Sequence, residues 1–164
     1  MKQKIVIAGG TGALGSSLVK KYYNTDTEVI VLSRKSRPAD QNIKYIVWDA
    51  KTIGPWTKEI ERSTAIINLV GKSVNCRYTE ENKKEIINSR VDSTLVLGKA
   101  IQELEQTPEV WINAGSAAIF GNSGDEIKDE DSEVGEDFHH EYANFGSKHF
   151  LNHPPPKQEK FSCA

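Results

Sequence analysis

Residues 5–15 read IVIAGGTGALG. Ile5 to Ala8 is a short unbroken run rich in β-branched residues, the pattern of a strand buried on both faces. The glycines at 9, 12 and 15 follow at intervals of three, and Ser16 to Tyr23 then has helical composition. Each glycine answers a different need. Gly9 lets the chain turn sharply out of the strand, Gly12 lets backbone approach a diphosphate, and Gly15 lets the helix pack closely on the strand. The amides at the helix start, with Thr11, Ala13 and Leu14 flanking, then point at the phosphates, where the helix dipole favours negative charge. The strand–glycine–helix context distinguishes this from a glycine-rich loop that serves packing alone.

Working outward, Glu28 to Ser33 (EVIVLS), Lys44 to Trp48, Ala65 to Val70 (AIINLV) and Val110 to Ala114 (VWINA) read as four further strands. Between them, part of Pro55 to Glu61 reads as a polar helix. Thr79 to Glu105 has Ile86, Ile87, Val91, Leu95, Leu97 and Ile101 recurring at helical spacing, with Thr79 as its start and Pro108 ending the region. Strands alternating with helices predict an α/β fold, a Rossmann-type doubly wound parallel sheet. Right-handed crossovers put all strand carboxyl ends on one edge, where ligands bind.

The residues at those strand ends suggest which dinucleotide fits. A carboxylate at the end of the second strand would bind the ribose 2′-hydroxyl of NAD. This chain has Ser33-Arg34-Lys35 there, with Arg37 beyond. A guanidinium presents a planar fork to a 2′-phosphate, so Arg34 favours NADP(H), with NAD(H) second; the competing reading is a solvated basic turn. Asp49, ending the third strand, either accepts from the adenine amine or closes a turn.

Composition narrows the remainder. The chain has 164 residues, a net charge of -2, 37% hydrophobic and 27% charged residues. That is an ordinary globular balance with no field to draw it to nucleic acid or a membrane surface. No stretch reaches the ~18 apolar residues of a membrane span. Cys76 and Cys163 follow no zinc or CxxC spacing, so reduced thiols and a cytoplasmic setting are expected. Trp48, Trp56 and Trp111 read as core or rim aromatics. His139, His140, His149 and His153 read as a solvated stretch, with no metal site.

With these residues in hand, the chain resembles the short-chain dehydrogenase/reductase superfamily in its extended or atypical branch. Within it, the chain is similar to the bacterial nucleoside-diphosphate-sugar epimerase-like proteins of the NAD(P)-dependent epimerase/dehydratase family. The glycines at 9, 12 and 15 carry this, with NLVG at Asn68 to Gly71, the segment RYTEENKKEIINSRV through Arg77 and Arg90, NAGSAAIFG through Ser116 and Gly121, and the acidic DEDSEVGEDF. The resemblance implies a Rossmann fold, NADP(H) binding and oxidoreductase or epimerase activity. It places Asn68 and Gly71 on the nicotinamide side, Arg90 facing the cofactor or an anionic substrate, and Ser116 at the catalytic serine position. Ser116 equally suits a strand-end hydroxyl that satisfies a turn.

Two departures matter. The superfamily's Tyr-xxx-Lys pair is absent: four residues after Tyr142 stands Gly146, and Lys148 is off the helical face. The apolar strand pattern and the family motifs both stop near Phe138. Residues 1–138 are therefore expected to form the dinucleotide-binding domain and residues 139–164 a divergent, disordered tail, incomplete on the C-terminal side as in a truncated or frameshifted product. VWINA would then be an unpaired edge strand, inviting self-association. Three readings stay open: an enzyme acting on a small molecule such as a nucleotide sugar or carbonyl compound, a catalytically inactive dinucleotide-binding module, or a truncated remnant of a longer enzyme that folds poorly.

Overall fold

A computed structural model describes residues 3–129 and 131–135 and the backbone of 160–163. Ten elements follow in order: β1 (Lys4–Ala8), α1 (Ala13–Tyr22), β2 (Glu28–Ser33), β3 (Ile43–Val47), α2 (Thr57–Ile60), β4 (Ala65–Asn68), α3 (Glu80–Gln102), β5 (Val110–Ala114), a 3-10 turn (Ala117–Phe120) and β6 (Lys160–Cys163). The sheet order is β3-β2-β1-β4-β5-β6, and every pairing is parallel. The expected α/β, Rossmann-type doubly wound sheet is therefore what the sequence forms.

β1 and β2 are buried because both faces are covered. On one face Ile5, Ile7, Val29, Val31 and Ile43 pack with Val19, Leu18 and Tyr22 of α1. On the other, Val6, Ala8, Ile30, Leu32 and Ile66 pack with Val96, Leu97, Ala100 and Ile101 of α3 and with Trp48, Trp56 and Trp111. All three tryptophans are core residues, as expected. Trp48 and Trp56 meet edge to face, centroids 5.2 Å apart at 73°, an arrangement worth about 0.5–1.5 kcal/mol beyond the area it buries.

Three expectations need correction. First, α1 begins at Ala13, not Ser16: Gly15 sits inside its first turn, where a glycine disguises helix as loop. Second, β4 stops at Asn68, two residues early, because the chain turns away at Leu69 to Gly71. Third, β5 is not an edge. β6 pairs with it in parallel, Trp111↔Lys160 to Ala114↔Cys163, so the sheet has six strands among the described residues and residues 160–163 are not the structureless tail expected of them. The expected tail boundary, the four histidines, Tyr142 and Lys148 lie outside the described residues.

The order reverses at β1. Its neighbours are β2 on one side and β4 on the other, so the chain leaving β1 and the chain leaving β4 diverge at their carboxyl ends. That divergence opens a crevice.

Candidate dinucleotide site

The crevice is a groove of about 610 Å³. Gly9, Thr11 and Gly12 form one side, Ser33 ends β2 and Arg34 follows it. Trp48 to Lys51 follow β3, Leu69 to Ser73 follow β4, and Glu85, Asn88, Ser89 and Asp92 come from α3.

The glycine turn is built as its spacing predicts. Gly9 has φ +78°, and a Cβ there would lie 2.9 Å from the Leu69 carbonyl carbon and oxygen. A Cβ on Gly15 would lie 2.4 Å from the Gly9 oxygen and 2.6 Å from the Gly10 Cα. Both positions are closed to any side chain by backbone. At Gly12 the contact is only 3.4 Å, to the Gly9 oxygen, so that glycine keeps space open toward the groove instead of permitting a close protein contact.

Gly12 is the N-cap of α1 and offers no side-chain cap. The first helical bond runs from the Ser16 amide to the Gly12 carbonyl at 2.8 Å. The amides of Ala13, Leu14 and Gly15 thus have no acceptor among the described residues, and the end of α1 has unsatisfied donors beside the groove. The turn is not wholly free: the Gly12 amide donates to the Gly9 carbonyl at 3.0 Å. Leu14 is exposed at 74% and covers no core.

Arg34 is exposed at the groove's edge and no carboxylate accompanies it at the end of β2. Arg37 stands apart, its guanidinium 5.7 Å from the Tyr45 ring centroid. Asp49 lines the groove but closes a turn as well. Its carboxylate accepts from the Lys51 and Thr52 amides, each at 2.8 Å, and from the Thr52 hydroxyl at 2.7 Å. The Thr52 amide and hydroxyl, then the Lys51 amide, hold its pKa down at about 2. The acid is therefore ionised at neutral pH, and the loop after β3 is a preformed wall. Ala50 has φ +62°, which lets that wall double back toward α3.

Residues 5–150 match the NAD dependent epimerase/dehydratase family. This chain belongs to that family. Among curated relatives, the epimerase family protein YfhF of Bacillus subtilis is 35% identical over 136 residues, covering 82% of this chain and 45% of the relative. SH2119 of Staphylococcus haemolyticus is 34% identical over 121 residues, covering 73% and 39%. The chain thus spans less than half the length of these relatives. Among solved structures, the human epimerase family protein SDR39U1 (isoform 2) with NADPH superposes at TM-score 0.80 with 27% identity, over 98% of this chain and 52% of that one. MoeE5 in complex with UDP-glucuronic acid and NAD superposes at TM-score 0.80 with 17% identity, over 97% and 53%; at that identity the likeness concerns the fold.

Not every residue singled out by resemblance reaches the groove of this epimerase-family chain. Gly71 lines it. Asn68 lies beneath, 3% exposed. Its amide donates to Asn113 Oδ1 at 2.7 Å, and its oxygen accepts from the Val70 amide at 3.2 Å. Arg90 packs under Gly71, where a Cβ would lie 3.1 Å from the guanidinium carbon. It donates to the carbonyls of Ile86 at 2.9 Å and Lys72 at 3.3 Å. Ser116 is half-buried and accepts from the Ala118 amide at 3.2 Å, opening the 3-10 turn. These three bond to protein and shape the turns around the groove.

The sequence reading missed the wall that α3 supplies. Glu85, Asn88, Ser89 and Asp92 fall at intervals of three, one and three, one face of a helix. That polar stripe was legible beside the apolar one. Lys72 from the turn after β4 reaches Glu85 and also donates to Asn82 Oδ1 at 2.7 Å. Its hydrogen bond and charge hold the Glu85 carboxyl below the usual range. Among the described residues no cluster of metal-ligating side chains forms, and no helix is long and apolar enough to cross a membrane.

Proposed function

We propose that this chain binds NADP(H) along the groove, as the dinucleotide-binding part of a cytoplasmic oxidoreductase or sugar-nucleotide epimerase. One observation carries the reading: three unpaired amides at the start of α1 follow an open Gly12, which lines the same groove as Arg34. A diphosphate would accept from the amides of Ala13, Leu14 and Gly15 and gain from the helix dipole. Arg34 would take the 2′-phosphate as a bidentate fork. Asp49, ionised, retains lone-pair capacity for the adenine amine. Leu69 to Gly71 would face the nicotinamide half. A bound nicotinamide would supply hydride transfer at its C4, with the substrate a nucleotide sugar or another carbonyl compound.

A second reading, binding without catalysis, is favoured by Ser116. Its hydroxyl is engaged at Ala118 and does not line the groove, and the sequence has no Tyr-xxx-Lys pair.

Titration with NADPH and NADH, followed by nicotinamide fluorescence, tests the cofactor. Arg34→Asp should weaken NADPH relative to NADH by about 1–3 kcal/mol. Equal losses for both would refute a 2′-phosphate role. Sustained NADPH oxidation with any member of a panel of sugar nucleotides and carbonyl compounds would remove the binding-only reading.

A further inference from the structure

We propose that Lys51 and Asp92 form a clasp over the adenosine half of the groove, a pair of positioning residues that slows release of a bound dinucleotide. The proposal rests on the dinucleotide reading given above. Lys51 stands in the loop after β3 and Asp92 on α3, and both line the groove. Lys51 Nζ lies 3.4 Å from Asp92 Oδ2, so the pair joins two facing walls of the groove.

The rest of the structure says which part of this arrangement moves. The loop that carries Lys51 is fixed, because the Lys51 amide is itself bound by the Asp49 carboxylate at 2.8 Å. When the pair parts, the lysine stem can swing while the loop stays. The second lysine tether to α3, Lys72 to Glu85, lies seven residues earlier, about two turns along the same face. That one is reinforced, since Lys72 Nζ also binds Asn82 and the Lys72 amide donates to Ser89 Oγ at 2.9 Å. Lys51 and Asp92 make no second ion pair among the described residues, although the Lys51 charge also helps to hold the Glu85 carboxyl below its usual range. The β4 side of the groove is therefore fastened, and the β3 side has a latch.

An ion pair this exposed (64% and 32% for the two side chains) adds little to folding. Its value is preorganisation. It holds the four-carbon lysine stem in place before a ligand arrives, so an adenosine settling beneath the stem need not freeze those rotamers. Side-chain motion of this kind takes nanoseconds or less, far faster than encounter, so the latch does not slow entry. Its loss should appear in the dissociation rate.

The test is stopped-flow binding and release of NADPH by the full chain. Asp92→Asn and Lys51→Met should each raise the dissociation rate about threefold to tenfold, with association rates within about twofold of wild type. Lys51→Arg, which keeps the pair, should release at the wild-type rate. The charge swap, Lys51→Glu with Asp92→Lys, should release more slowly than either single variant carrying one of those changes. Rescue by the swap requires the pair itself, which a merely structural role for either residue would not give. Unchanged dissociation in both single variants, or a swap no slower than its parents, overturns the clasp while leaving the dinucleotide reading standing. A wild-type chain that binds neither NADPH nor NADH overturns that reading and the clasp with it.

Discussion

Gly12 and Gly15 look alike in sequence and do opposite jobs in space. A methyl at residue 15 would overlap the Gly9 carbonyl oxygen at 2.4 Å, a backbone atom that cannot step aside without moving the strand. A methyl at residue 12 meets only ordinary contact at 3.4 Å, and Gly12 has φ -79°, where alanine is comfortable. Gly15→Ala should therefore destabilise the fold by about 1–3 kcal/mol, read as a lowered urea midpoint. Gly12→Ala should leave that midpoint near wild type and lower NADPH affinity instead, by tenfold or about 1.4 kcal/mol. A Gly12→Ala protein that binds normally would show that the diphosphate does not approach this turn. The same residue scale shows how far sequence reading reaches. Gly9 and Gly15 were legible because each sits where backbone atoms forbid a side chain, and Gly12 because its spacing falls in with theirs. Asn68, Arg90 and Ser116 were legible as important, but their roles were not: whether a polar group faces a ligand or a neighbouring carbonyl depends on packing that spacing does not encode.

At the scale of elements, β4, β5 and α3 are joined beneath the groove by a buried polar cluster. Asn68 and Asn113 stand opposite each other at the carboxyl ends of their strands. Asn113 Oδ1 accepts from Asn68 at 2.7 Å and from the Thr94 hydroxyl at 3.2 Å, and Ser93 lies within 3.3 Å of the Asn68 amide. All four residues are buried. Replacing Asn113 by alanine would remove the shared acceptor and leave donors in a dry interior, costing about 1–3 kcal/mol; urea denaturation measures it. Asn68 also holds the Val70 amide, so the cluster sets where the β4 turn meets the groove. Elements themselves were readable from apolar runs, with β2 and β5 found residue for residue. The wall from α3 was missed because its polar stripe shares the helix with a conspicuous apolar one.

At the scale of the molecule, the sheet has outer strands β3 and β6, and the strand read as exposed in the sequence is interior. No local pattern in Lys160 to Cys163 announces a strand, since four residues after a proline-rich stretch carry too little periodicity to read. Deleting residues 160–164 would bare the edge of β5, whose Trp111 and Ile112 neighbour an unpaired row of amides and carbonyls. The shortened chain should self-associate more strongly, seen as a higher sedimentation coefficient at the same concentration; an unchanged monomer–oligomer balance would mean that β6 does not protect that edge.

Gly9 touches the peptide of Leu69 with no side chain between them. The crests of β1 and β4 therefore abut main chain to main chain, and no substitution can act as a spacer to widen or narrow the gap there. Evolution can alter the rim of this crevice, with its arginine, lysines and carboxylates, but its floor is set by bond lengths. Changes in ligand preference must therefore be written on the rim, and an occupant must bend to the floor.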